Sequence, residues 1–131
     1  MKILLPPGWP RPSGFSNGIS AKGRTIFTAG IIGWDEKGAV VDPYLPGQLR
    51  QILINTLAIL AEDGAGPEHV VRMTWYVVDI EEYRSRLADI GAVYKEVMGR
   101  NFPAMAVVQV EALVEPAARI EIETTAVVPE W

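Results

Sequence analysis

The stretch FPAMAVVQVEAL, residues 102–113, has the sequence of a β-strand that is apolar on both faces. Successive side chains of a strand point to opposite faces, so alternate residues from Met105 to Glu111 share one face and alternate residues from Ala104 to Val110 share the other. A strand that is apolar on both sides must be covered on both sides. The Met105 face is therefore expected to contact the protein's own core, a partner subunit or a ligand.

Hydrophobic periodicity on either side of this stretch predicts one α+β domain that spans the whole chain, residues 1–131. Apolar residues at helical spacing predict two amphipathic helices, over residues 45–62 and 81–98. Runs of β-branched and aromatic residues predict four further strands, over residues 15–21, 24–31, 70–78 and 119–128. The expected fold is a single mixed sheet with two helices packed on one of its faces.

The N-terminal part of the chain carries the strongest turn signals. Residues 1–14 are expected to form an irregular arm, because PPGWPRPSG holds four prolines and two glycines. Lys22-Gly23 separates the first two predicted strands and is expected to form a hairpin turn between them.

Composition and charge argue against several classes of function. The net charge is −4 and the isoelectric point is about 5.0, so nucleic acid is not an expected partner. Cysteine is absent and histidine occurs once, so neither a transition-metal site nor a cysteine nucleophile is expected. No segment approaches a membrane span or the core of a signal peptide. We expect a soluble cytoplasmic protein with no membrane contact and no cofactor.

The two helices can cover only one face of the predicted sheet. The strands at residues 24–31, 70–78 and 104–110 carry apolar residues on both faces, and the first helix has Ile54 and Ile59 away from its main apolar stripe. Uncovered apolar area of this size is normally an oligomer interface. We therefore expect a homo-oligomer.

Two places in the sequence carry titratable side chains that could act in catalysis. His69 is the only histidine and has no neighbouring Ser or Asp in sequence, which is more typical of a surface residue than of a general base. In RIEIETTA, Glu121 and Glu123 share one strand face while Ile120 and Ile122 share the other. The two carboxylates indicate either an exposed polar edge or a water-orienting acid/base in a cleft between subunits.

Several motifs together resemble the RidA (YjgF) family. These are SNGISAKGRTIFTAG, Gln48 with NTLAILAEDGAG, VVRMTWYVVDIEEY, and FPAM followed by IEIETTA, and they cover residues 15–127 in order. The resemblance implies a chorismate-mutase-like fold and a homotrimer that forms a central barrel. It also implies a small-molecule cleft between neighbouring subunits, in which reactive enamines and imines such as 2-aminoacrylate are hydrolysed to a keto acid and ammonia.

The resemblance implies a site that this chain has changed. The arginine that clamps the substrate carboxylate is replaced by Met105, so a planar bidentate contact is lost. We expect Met105 to face the intersubunit cleft opposite Glu121, the catalytic residue that is kept. The remaining substrate-binding positions, several of them also altered, are Phe15, Asn17, Ala29, Gly30, Gly91 and Val107.

Three functions remain open from the sequence. The first is a deaminase-like hydrolase of an enamine or imine that lacks the usual carboxylate, with Glu121 positioning water. The second is a non-catalytic trimer whose intersubunit clefts hold small apolar ligands. The third is the ribonuclease activity attributed to some family members, which the acidic charge disfavours.

Overall fold

The computed structural model describes residues 1–130, which form a four-stranded sheet, a two-stranded sheet and three helices. The strands are β1 (Lys2–Leu4), β2 (Gly18–Ser20), β3 (Arg24–Phe27), β4 (Val70–Val77), β5 (Ala104–Gln109) and β6 (Ile120–Val128). The helices are α1 (Leu45–Ala61), α2 (Ile80–Ser85) and α3 (Leu87–Met98), and a single 3-10 turn covers Pro67–His69. None of the helices in this described part has the length and hydrophobicity that crossing a bilayer requires.

The main sheet has the strand order β3-β6-β4-β5 and is mixed. β4 and β5 are parallel, and the chain passes between them through α2 and α3, as parallel neighbours require a crossover. β6 runs antiparallel to both β3 and β4. The predicted α+β architecture, a mixed sheet with helices on one face, is confirmed.

The core lies between this sheet and the helices, and its position follows from strand alternation. Met73, Trp75 and Val77 are buried on β4, and the paired residues Ile120 and Ile122 of β6 are both 0% exposed. These side chains pack with the apolar stripe of α1. The isoleucines of RIEIETTA thus meet the helices, and Glu121 accordingly lies on the opposite, open face.

Gln48 connects the start of α1 to the start of β6, the strand that carries Glu121. Its buried side chain donates from Nε2 to the carbonyl oxygens of Asp42 and Ala117, at 2.9 Å each, and accepts from the backbone N–H of Arg119 at 2.8 Å. Every polar atom of this amide group thereby has a partner, as a buried amide requires. The entry to β6 is held against α1 by these bonds.

The predicted hairpin at Lys22-Gly23 is wrong. β2 pairs with β1, and β3 pairs with β6 through four residue pairs. Gly23 has φ 151° and lies against the end of β6, where the carbonyl of Val128 leaves no room for a side chain. Pairing with β6 places Ile26 against the core, which a hairpin with the short β2 would not do.

The N-terminal arm and the second helix also differ from the prediction. Residues 2–4 form a strand rather than irregular chain, because β2 offers an unpaired edge that they fill. The predicted helix over residues 81–98 is divided at Arg86, whose φ of −114° and ψ of 17° lie outside the helical range. Asp79 caps α2 by accepting from the N–H groups of Glu81 and Glu82.

Candidate functional site

A cavity of about 580 Å³ lies between the sheet and the α2–α3 segment, within a single protomer. Met105 and Val107 of β5 line it from the sheet, and Leu87, Ile90 and Gly91 line it from α3. β5 pairs with β4 so that Met73 is opposite Met105 and Trp75 is opposite Val107. Because paired residues share a sheet face, the Met105 face is covered by the protein's own helices, and the coverage leaves space for a ligand.

Aromatic rings form most of the cavity wall. The ring of Trp75 meets Tyr83 edge-on at 6.4 Å between centroids and lies 6.2 Å from Tyr94. Tyr94 in turn stacks on Phe102 at 5.8 Å, and Phe15 completes the ring of aromatic residues at the cavity. Edge-on and offset contacts of this kind stabilise aromatic clusters, so the wall is fixed by its own packing.

The cavity is uncharged. None of its lining residues, within the described chain, carries an ionised side chain at neutral pH. Burial raises the pKa of Tyr83 and of Tyr94, so both phenols stay neutral. The Tyr94 hydroxyl donates to the carbonyl of Asn101, whereas the buried indole N–H of Trp75 has no acceptor in the described residues.

The open face of the sheet carries the carboxylates. Glu121 is paired with Tyr76 in the β-ladder, and its side chain lies against Gly30. A Cβ atom on Gly30 would come within 2.5 Å of Glu121 Oε2, so the glycine allows the close approach of backbone and carboxylate. Bonds in both directions between Ile31 and Ile122 hold this loop on β6.

Glu123 lies on the same open face and already has a partner. The Tyr76 hydroxyl donates to Glu123 Oε1 at 2.7 Å. This hydrogen bond raises the pKa of Tyr76, and desolvation and the Glu121 charge act in the same direction. Glu121 accepts no hydrogen bond from another side chain of the described residues, so both of its oxygens are free to accept from a water, whereas Glu123 already accepts from Tyr76.

The predicted site residues fall into separate groups in one protomer. Phe15, Gly91, Met105 and Val107 line the cavity on the helix side. Gly30 and Glu121 meet on the open face, with the exposed Ala29 beside them, and Asn17 lines a second cavity near the N-terminal strand pair.

Within one chain, the side chains of Met105 and Glu121 do not face each other. Met105 shares the sheet face of Met73, whereas Glu121 is paired with Tyr76 on the other face. The sheet itself stands between the two side chains. An ion pair between residue 105 and Glu121 of the same protomer is therefore excluded, and the two groups can meet only across a subunit boundary.

The aromatic wall was not assigned to the site from the sequence. The available signal was an apolar stripe on one side of the predicted second helix, to which Tyr83, Leu87, Ile90 and Tyr94 belong. Trp75 gave no such signal, because its contact with Tyr83 and Tyr94 depends on how β4 and the helices pack.

His69 has a structural role. Its Nδ1 accepts from the backbone N–H of Gly66 at 2.9 Å, next to the 3-10 turn that precedes β4. No group of three or more His, Cys, Asp or Glu side chains in residues 1–130 is arranged to hold a metal ion.

Known proteins resemble this chain over nearly its full length. A RutC family protein from Pyrococcus horikoshii is 34% identical over 127 residues, which cover 95% of this chain and 96% of the relative. The human 2-iminobutanoate/2-iminopropanoate deaminase is 35% identical over 105 residues, covering 79% of this chain and 73% of that enzyme.

Solved structures also share the fold of this chain. A Yersinia pestis protein of unknown function from the conserved Rid family superposes with a TM-score of 0.85 at 34% identity, covering 97% of this chain and 98% of that one. RidA from an Antarctic Psychrobacter has a TM-score of 0.71 at 24% identity and shows the fold alone. The sequence model described as endoribonuclease L-PSP matches residues 10–128, which confirms the resemblance to RidA. This chain therefore belongs to the endoribonuclease L-PSP family, which is the family of the Rid and RutC proteins.

Proposed function

We propose that this protein is a homotrimeric hydrolase that acts on the carbon–nitrogen double bond of a reactive imine, or of the imine tautomer of an enamine. The observation that carries the proposal is Glu121, which stands on the open face against Gly30 with its carboxylate unpartnered in residues 1–130. The likeness to the human iminoalkanoate deaminase over 79% of the chain supports this reaction class.

Hydrolysis of an imine needs a group that moves one proton twice. Starting from the protonated imine, a water molecule adds to the imine carbon while Glu121 accepts one of its protons, which gives a neutral carbinolamine. Glu121 then returns that proton to the nitrogen. The carbon–nitrogen bond breaks as the hydroxyl oxygen forms the carbonyl and passes its own proton to Glu121, ammonia and the carbonyl compound leave, and Glu121 releases the last proton to solvent. A single carboxylate can serve as both base and acid in this sequence.

The site requires two subunits. Glu121 and the aromatic cavity lie on opposite faces of one sheet, so a substrate held in the cavity of one protomer can reach only the partner subunit's Glu121. The open face supports such an assembly, because Phe27 is 74% exposed and Val108 is 42% exposed there. Exposed apolar side chains on a regular sheet face favour association with a second copy.

We expect a substrate that lacks the carboxylate which a simple 2-imino acid carries on its reacting carbon. Met105 stands where the resemblance to RidA implies an arginine, and the cavity around it is uncharged. A methionine cannot donate to a carboxylate, and an unpaired anion in such a cavity would lose its hydration without compensation. We therefore expect the substrate to carry only uncharged groups on its reacting carbon.

The proposal is tested by measuring ammonia release from imines and comparing its rate with that of spontaneous hydrolysis. We expect turnover of imines without a carboxylate on the reacting carbon, and little turnover of 2-iminopropanoate. Glu121→Gln should lower kcat by about 100-fold or more, in the range for loss of a general acid–base. Glu123→Gln removes a neighbouring carboxylate of the same face and should retain activity within a few-fold. Equal losses in both variants would contradict the role of Glu121.

A second candidate is a trimer that binds small apolar ligands without chemistry. The uncharged aromatic cavity favours this candidate, since it offers shape and apolar contact but no reactive group of its own. Binding of a neutral aromatic compound with no turnover of any imine, and with identical affinity in Glu121→Gln, would establish this function in place of hydrolysis.

A further inference from the structure

A second cavity of about 500 Å³ adjoins the aromatic cavity. The two share three lining residues, Gly14, Phe15 and Phe102. Phe15 and Phe102 therefore stand between the two spaces and contact both. The two spaces thus border the same pair of rings.

Backbone and side-chain hydrogen bonds hold the wall of the second cavity in place. Ser16 is buried at its edge, donates from its hydroxyl to the carbonyl of Phe102 at 2.5 Å, and donates from its backbone N–H to Pro103 at 3.0 Å. On the other side, β1 is held by its ladder with β2 and contributes Ile3 and Leu4 to the wall. The wall is thus connected to β5 and to β2, although it is formed by N-terminal chain.

The second cavity is positively charged, in contrast to the first. Arg11 and Arg100 both line it, and no Asp or Glu does so among the described residues. Neither arginine lies within 4.0 Å of a carboxylate in residues 1–130, whereas five of the other six arginines each form an ion pair: Arg24, Arg50, Arg84, Arg86 and Arg119. The sixth, Arg72, has no such pair in the described residues either, but it lines neither cavity. Two unpaired guanidinium groups at one cavity favour an anionic ligand group.

We propose that the two cavities form one bipartite ligand site. The aromatic cavity holds an uncharged apolar or aromatic portion of the ligand, and Arg11 and Arg100 bind a carboxylate at its far end. The acid is then recognised at a distance from the reacting carbon rather than beside it, which is consistent with Met105. The inference rests on the proposed function only for the position of the reacting bond, since binding can be measured without turnover.

Calorimetric titration of the full-length protein with two matched probes tests the site. Phenylbutanoate offers an aromatic ring and a distant carboxylate, and phenylbutanamide has the same shape without the charge. We expect the acid to bind at least about tenfold more tightly than the amide, the ratio that one good charge-assisted contact supplies. The preference should shrink as salt is raised, because both arginines are exposed.

Three charge-removing variants identify the binding groups. Arg11→Gln and Arg100→Gln should each lower the affinity for the acid by about threefold to tenfold and leave the affinity for the amide unchanged. Lys95→Gln removes the same charge from an exposed position of α3 that lines neither cavity, and should change neither affinity.

The proposal is overturned if acid and amide bind the unaltered protein equally, if neither binds, or if the arginine variants match Lys95→Gln. These outcomes do not depend on whether the protein hydrolyses imines. Failure of imine turnover together with a preference for the acid would remove the proposed reaction and keep the bipartite site.

Discussion

The two faces of the main sheet use the same strands for different purposes. On the helix face, Met73, Trp75 and Ile122 are buried and pack in a continuous apolar core. On the open face, the neighbouring residues Thr74, Tyr76 and Glu121 alternate with them and form a mixed surface with polar and charged groups. One residue step along a strand separates the two environments.

The difference indicates where stability and chemistry are located. Side chains of the helix face are enclosed by the protomer, so changes to them should act on the free energy of unfolding. In the proposed assembly, side chains of the open face contact a partner subunit or a substrate, so changes to them should act on assembly and turnover. Substitutions at matched positions on the two faces test this division.

The largest expected effect is that of Met73→Ala. Met73 is fully buried, and removing its side chain leaves a cavity that should lower the free energy of unfolding by about 2–5 kcal/mol. Thr74→Ala, one residue along on the open face, should cost about 1 kcal/mol or less. Urea unfolding at one fixed protein concentration measures both. Equal losses would show that the two faces are equally enclosed.

A smaller effect, on assembly, is expected for Phe27→Ser. Burying a phenylalanine side chain contributes about 1.5–3 kcal/mol, so its loss from the open face should weaken association and leave helix content unchanged. Val114→Ser is the control, because Val114 is fully exposed in the segment between β5 and β6. Light scattering across a dilution series compares the variants. If both stay assembled to the same dilution, Phe27 lies outside the interface.

The smallest effect is expected from a pair of glycines. Gly91→Ala places a methyl group in open space within α3 and should raise the free energy of unfolding by up to about 1 kcal/mol. Gly30→Ala places the same methyl group against the Glu121 carboxylate and should lower kcat by about tenfold, since it displaces the proposed base by a fraction of an ångström.

Thermal unfolding and imine turnover of both glycine variants complete this test. A Gly30→Ala protein with unchanged kcat would mean that the position of Glu121 is not critical. A destabilised Gly91→Ala protein would mean that this part of α3 is packed more closely than its open surroundings indicate.

Local periodicity was sufficient to predict much of the molecule. Alternation in RIEIETTA put Ile120 and Glu121 on opposite faces of their strand, and in the structure Ile120 lies in the core and Glu121 on the open face. The stripe of Tyr83, Ile90 and Tyr94 identified the buried side of the second helical segment, although its division at Arg86 was missed. These features depend on contacts within a few residues, which the sequence displays directly.

Pairing between distant segments was not predictable from the same patterns. A strand of three or four residues such as β2 or β3 can satisfy its hydrogen bonds with several neighbours, and the choice of β1 and β6 depends on what each pairing buries. For this reason the Lys22-Gly23 hairpin was wrong, although each strand beside it was identified.

The amino-acid sequence alone was enough to identify the family, the approximate helical segments, and the strand neighbours that share a face with Met105 or with Glu121. That those two faces are opposite sides of one sheet became clear from the folded chain. The same holds for the pairing of Trp75 with Val107 and for the two arginines, Arg11 and Arg100, that line one cavity. Side-chain alternation is a property of each strand alone, whereas register and crossover depend on burial summed over the whole core.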